Sequence, residues 1–152
     1  MNARTTMRSA GMALSLAAAA SLAATPALEQ AFVDAYRRAF EGGDAKTLHS
    51  LLYTKGADSK ALGFYRMMTT AGMGAKIASI SLVELTPEDR SRAARAMPSP
   101  DGRSLGLSLT PVKKLVIRIE TRTADSSSTG TSEVFVAEHD GRLWIPVPAP
   151  AQ

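Results

Sequence analysis

The sequence predicts an α+β fold in which N-terminal helices pack on one face of an antiparallel sheet. Three observations predict it. Apolar residues recur at helical spacing through residues 28–52, the period shortens to two in residues 75–85 and 112–123, and Asp140-Gly141 sits between two apolar runs near the end. Helices first and paired strands last is the element order of a layered α+β domain.

Residues 1–27 read as an export signal. Arg4 and Arg8 precede a run of small and apolar residues from Ser9 to Ala24, and Thr25-Pro26 ends it. The run is shorter than the ~20 apolar residues of a spanning helix. Small residues place cleavage after Ala23 or after Ala27, with a single domain over 28–148 and a tail over 149–152. The expected location is the periplasm or the medium, with no stable membrane anchor after cleavage. Of 18 Lys and Arg, two leave with the signal and all 14 acids stay, so the mature charge falls to +2. That is a weak field for nucleic acid, and few aromatics accompany the basic residues. No cysteine is present, which removes disulfides, thiolate chemistry and a lipidated cysteine.

The stretch AFVDAYRRAFEGGDAKTLHSLL, residues 31–52, contains two helices and the corner between them. Leu28, Phe32, Tyr36 and Phe40 make one apolar face. Gly42 or Gly43 takes the left-handed conformation that ends the helix, and Asp44 caps the next one. Ala45, Leu48, Leu51 and Leu52 face inward from the second helix, which is expected to close at Gly56. Asp58 or Ser59 caps a third helix, with Leu62, Tyr65 and Met68 on one face and Gly72 as its stop. Residues 75–85 alternate as a strand. Thr86 and Pro87 open a short helix or a loop, and PSPDGRS breaks the chain. Residues 112–123 form a strand, ADSSSTGTS a loop, and Asp140-Gly141 a hairpin turn. In that hairpin Val136 faces Ile145 and Val134 faces Val147, with Ala137 and Trp144 on the other face. Pro146 suggests a sheet edge.

Residues 31–52 resemble the helix–Gly-Asp–helix opening of the nuclear transport factor 2-like superfamily, which includes SnoaL-like proteins and ketosteroid isomerases. The resemblance is carried by the aromatic-rich helix, Gly43-Asp44 and the Leu-rich second helix. It implies a cone-shaped, cystatin-like domain with helices on a curved antiparallel sheet. The sequence departs from that pattern after the second helix, where residues 54–68 read as helix instead of a short strand and a cavity-lining segment. By the same resemblance, Tyr36, eight residues before Asp44, matches a tyrosine that hydrogen-bonds a developing enolate. The matching base falls near Lys60, with Asp58 the nearest acid. Sheets of such folds often dimerise through their open face.

Read as residues alone, Tyr36 is a core aromatic and Asp58 a helix cap. His49 and His139 are far apart in sequence and lack a carboxylate cluster, so no metal site and no cofactor are expected. AGMGAK has the wrong spacing for a phosphate loop. The resulting expectation is an exported binding or interaction module without an assignable catalytic set. It takes a small apolar ligand at Phe32, Tyr36, Phe40 and Trp144, or a protein partner or second copy through the sheet. The alternatives are a cofactor-free isomerase or dehydratase using Tyr36 and Asp58, and a structural envelope or stress-related protein.

Overall fold

A computed structural model describes residues 24–151; the signal-type segment 1–23 and Gln152 lie outside the described residues. Helix α1 spans Pro26–Glu41, with Thr25 as its N-cap and Pro26 in its first turn. It runs to Gly42, whose backbone stays right-handed, and Gly43 then takes φ 70°. The two glycines serve different ends. A Cβ on Gly42 would stand 2.9 Å from the Arg38 carbonyl, whereas Gly43 carries the left-handed turn that lets Asp44 bond back to Ala39. Asp44 caps α2, Ala45–Ser50, through the Thr47 N–H at 3.0 Å.

α2 ends earlier than the expected stop at Gly56. The Ile145 N–H donates to the Leu51 carbonyl at 2.8 Å, and Leu52–Tyr53 becomes β1, parallel to a strand near the C-terminus. A tertiary hydrogen bond thus outweighs the local helical pattern, and the short strand that residues 54–68 had argued against is present just before them. Asp58 caps α3, Ser59–Thr70. β2, Ile77–Glu84, carries a register irregularity between Ile77 and Ser79. That irregularity shifts the alternation, so Ile77, Ile80 and Leu82 all reach the core side. α4, Pro87–Ala94, starts with a capping box in which Thr86 and Asp89 exchange hydrogen bonds.

The PSPDGRS break is a tight hairpin between β3, Met97–Pro98, and β4, Ser104–Leu107. β5 spans Lys113–Arg122. β6, Ser127–His139, absorbs most of the segment expected as a loop, because Ser127–Ser132 continue an unbroken register against β5. Those residues are exposed on both faces and so carry no apolar alternation to read. Asp140 and Gly141 both have positive φ, as a two-residue primed turn requires, and they lead into β7, Arg142–Pro146. The expected tail is strand as well: β8, Pro148–Pro150, pairs with β4.

The main sheet has five strands in the order β1-β7-β6-β5-β2, and a smaller sheet has the order β3-β4-β8. The fold is therefore α+β, with a mixed rather than purely antiparallel main sheet. β7 lies between β6 and β1, so Pro146 is not on an edge strand. It is the last residue of β7, and there the chain passes through Val147 into the small sheet.

One core joins Phe32, Tyr36 and Phe40 of α1 to Leu48, to Leu115, Ile117, Val136 and Ile145 from the strands, and to Val147. The Val136–Ile145 pair is fully buried, as the hairpin register requires. The second sheet face is not left bare. Ala137 is fully buried, Leu85 and Leu105 are buried apart from the main core, and the Arg92 guanidinium of α4 lies 5.3 Å from the Phe135 ring centre. An apolar sheet face open for docking is thus absent at Ala137, because α4 and its neighbours approach from that side.

Candidate functional site

The third helix positions a trough against β6. Gly56 and Asp58 turn the chain after β1, and the Asp58 carboxylate accepts from the Lys60 and Ala61 N–H groups to start α3. The inner face of α3 contributes Leu62 and Tyr65 to the core, but Phe64, Met67 and Met68 are 54%, 63% and 36% exposed. Three large apolar residues within one helical turn and a half form a concentrated exposed patch.

Two adjoining cavities lie along this helix and share Met68, Glu133 and Val134. One, of about 220 Å³, reaches inward to Tyr36, Phe40, Ile117 and Ile119. The other, of about 250 Å³, opens toward Phe64, Phe135, Arg92 and Lys114. Their polar end is electrically balanced. Lys114 meets Asp89 at 3.1 Å and Glu133 at 3.0 Å, and Arg92 meets Asp89 at 2.9 Å. Asp89 is held below the usual carboxylate range first by the Thr86 N–H, then by Lys114, against an opposing cost of burial. Lys114 is pushed up by Glu133 and then Asp89.

Of the residues singled out in the sequence, Tyr36, Phe32 and Phe40 are together. They are buried on α1, and the Tyr36 and Phe40 rings stack with centroids 6.2 Å apart. Tyr36 and Phe40 line the inner cavity, and Phe32 does not. Burial alone raises the Tyr36 phenol to about 12, so it stays protonated at neutral pH and keeps a proton to donate. Trp144 is elsewhere, on the other face of the hairpin. Its indole N–H donates to the His139 carbonyl at 3.1 Å, the Arg142 guanidinium lies 4.4 Å from its ring centre, and Tyr53 meets it edge-on.

Asp58 does not line the Tyr36 cavity. One carboxylate oxygen accepts the two cap N–H groups and the other accepts from Arg103 at 2.8 Å. The Ala61 N–H first, and Arg103 after the cost of burial, hold it below the usual carboxylate range. A general base works with a pKa near the working pH, whereas Asp58 is engaged on both oxygens and held low. His49 contacts the Arg66 carbonyl, and His139 sits beside Asp140. Among the described residues, no group of three or more His, Cys, Asp or Glu could hold a metal ion.

Sequence reasoning placed Tyr36, Phe40 and Met68 on inward helix faces but missed the outward side of α3. Phe64 and Met67 lie outside the apolar stripe of that helix, and an apolar residue off the stripe is the signal that could have found them. No protein-family model matches the chain, and neither the curated proteins nor the solved structures contain a match.

Proposed function

We propose that this chain is an exported binding module that holds a small apolar molecule in the trough between α3 and β6, without covalent chemistry. One observation carries the reading: the Tyr36 phenol and the Phe40, Ile117 and Ile119 side chains line an open cavity flanked by the partly exposed Met68. Binding sites for small molecules are mostly apolar concavities with a few polar groups that fix orientation. Tyr36 supplies such a group, a phenol kept neutral by burial, and Met68 an adaptable wall. The ligand class is therefore an apolar molecule with one acceptor oxygen.

Export rests on Arg4, Arg8 and the apolar run after them. A nuclear transport factor 2-like cone belongs to the same reading. Its support is the helix–Gly43-Asp44–helix corner packed on long antiparallel strands, with Tyr36 at the cavity wall.

The test is a fluorescence titration with 6-propionyl-2-(dimethylamino)naphthalene, a neutral apolar probe with one carbonyl oxygen. The wild-type chain should bind it saturably. Met68→Trp, which fills the shared wall of both cavities, should weaken binding by about tenfold or more, equivalent to roughly 1.4 kcal/mol. Met67→Trp, on the exposed side of the same helix, should leave it unchanged. Absence of saturable binding, or equal behaviour of the two variants, overturns the reading.

A further inference from the structure

We infer that a second copy of this chain adds to the main sheet through the free edge of β6, in antiparallel pairing about a two-fold axis at Gly130. Independently of any ligand in the trough, the backbone carries this inference. β6 pairs with β5 over Ser127–Val136, but with β7 only over Ala137–His139. Among the described residues, no strand pairs with the other side of β6 from Ser127 to Phe135.

The hairpin fixes which groups are unpaired there. His139 and Arg142 flank the two-residue turn, so His139 directs its N–H and C=O at β7. Alternation then points the odd-numbered residues of β6 away from β5. The even-numbered Val136 and Ser126 accordingly give their carbonyls to the β5 side, to Val112 and Thr123. The backbone groups of Ser127, Thr129, Thr131 and Glu133 are thus left facing outward.

Natural sheets protect such edges with prolines, bulges, lysines or a covering element. The opposite edge of this sheet has these devices. β2 carries a register irregularity after Ile77, and α1 clamps Ile77 from both sides: Glu41 accepts its N–H at 3.0 Å and Arg37 donates to its carbonyl at 3.2 Å. The edge of β6 from Ser127 to Glu133 has no proline, no basic residue and no register shift. The β2 edge is thus occupied at Ile77, and a two-fold pairing consumes the β6 edge in both copies. The assembly closes at two and does not extend into a filament.

The segment is compatible with its own copy. A two-fold axis at Gly130 sets Thr129 against Thr131 and Ser127 against Glu133, so all outward groups meet outward groups. Glu133 is the only charged residue in the segment, and this register keeps the two copies of it apart. One step further, the Asp125 of one copy comes opposite the other copy's Phe135, over which Arg92 lies and across from which Lys114 pairs. Gly130 falls in a wide pair, where facing Cα atoms are about 4.5 Å apart.

The chain's lack of cysteine makes the test direct. A Cβ on Gly130 meets nothing within 4 Å, so Gly130→Cys is accommodated. Two such cysteines across the axis stand within the ~4.4–6.8 Å Cα separation of a disulfide, while Ser132→Cys would face residue 128 and has no thiol partner. Sedimentation of the exported chain should give a dimer at micromolar concentration. Mild oxidation should convert Gly130→Cys to a covalent dimer at least about tenfold faster than Ser132→Cys. Thr131→Pro removes an outward N–H and leaves the β5 ladder intact, so it should give a monomer with unchanged circular dichroism. A wild-type monomer at all concentrations overturns the inference. So does a dimer in which the two cysteine variants oxidise alike. If Thr131→Pro fails to fold, the cysteine pair decides alone. The seam and the trough share Glu133 and Phe135, so the probe titration is repeated on Thr131→Pro; a wild-type dimer with fast Gly130→Cys crosslinking upholds the inference even where neither form binds the probe, which overturns the ligand reading alone.

Discussion

Asp58 and Arg103, 45 residues apart in sequence, meet at 2.8 Å. The contact ties the start of α3 to the β3–β4 hairpin, and Asp101 joins it from the hairpin side at 2.8 Å. Its consequences can be measured. Asp58→Asn keeps an oxygen for the helix cap but loses the charge facing Arg103, while Asp58→Ala loses both. Tm should fall in that order, with the alanine variant lowest. Because the folded carboxylate is held below its unfolded value by the Ala61 N–H and Arg103, the unfolded chain binds the proton more tightly. The contribution is therefore fully present above about pH 4 and is lost as pH falls through the lower folded value. Urea midpoints between pH 6 and pH 2 should drop less for Asp58→Asn than for the wild type.

Gly43 has φ 70° and delivers the Asp44 N–H to the Ala39 carbonyl at 2.8 Å. Gly43→Ala should destabilise by about 1–2 kcal/mol, the cost of the left-handed conformation for a residue with a Cβ. Gly43→Asn should lose less, since asparagine tolerates that region. Equal losses in thermal denaturation would place the strain elsewhere.

Ile145 is fully buried, faces Val136, and donates its N–H to the Leu51 carbonyl. Ile145→Ala should cost about 2–5 kcal/mol, read from urea unfolding with unchanged m-value. Ile145→Val should cost about 0.5–1.5 kcal/mol, since only one methylene is lost.

Thr25 caps α1 and Ala24 packs against the core. Cleavage after Ala23 keeps both, whereas cleavage after Ala27 removes the cap and the Pro26 start. Intact mass of the exported chain should therefore match a first residue at Ala24. A chain prepared to begin at Leu28 should be less stable by about 1 kcal/mol, the usual worth of an N-cap.

Helix starts were among the most legible features. Asp44, Asp58 and Thr86-Pro87 are short-range signals, because a cap satisfies backbone groups two or three residues away; Thr25-Pro26 carries the same signal but was read as the end of the apolar run. The Asp140-Gly141 hairpin was legible for the same reason: its positive φ values are a property of two adjacent residues, and its register then follows by counting. Ser127–Ser132 was not legible as strand, since neither side chain face is buried and only the register with β5 orders it. β1 was hidden for a related reason. Leu51 and Leu52 suit a helix locally, and it is a hydrogen bond from Ile145, more than ninety residues away, that makes them a strand end.

The candidate site divides along the same line. Sequence alone determined that Tyr36 and Phe40 share a helix face with the core, and that Asp58 caps a helix, because periodicity and capping act within one or two turns. Only the tertiary structure decided that Trp144 lies away from them, that Arg103 occupies Asp58, that α3 opens a trough at Met68, and that α1 clamps β2 at Ile77 while Ser127–Glu133 of β6 pair with β5 alone. Those outcomes depend on which strand lies beside which and where each strand stops pairing, and such long-range pairings are set by the packing of the whole chain.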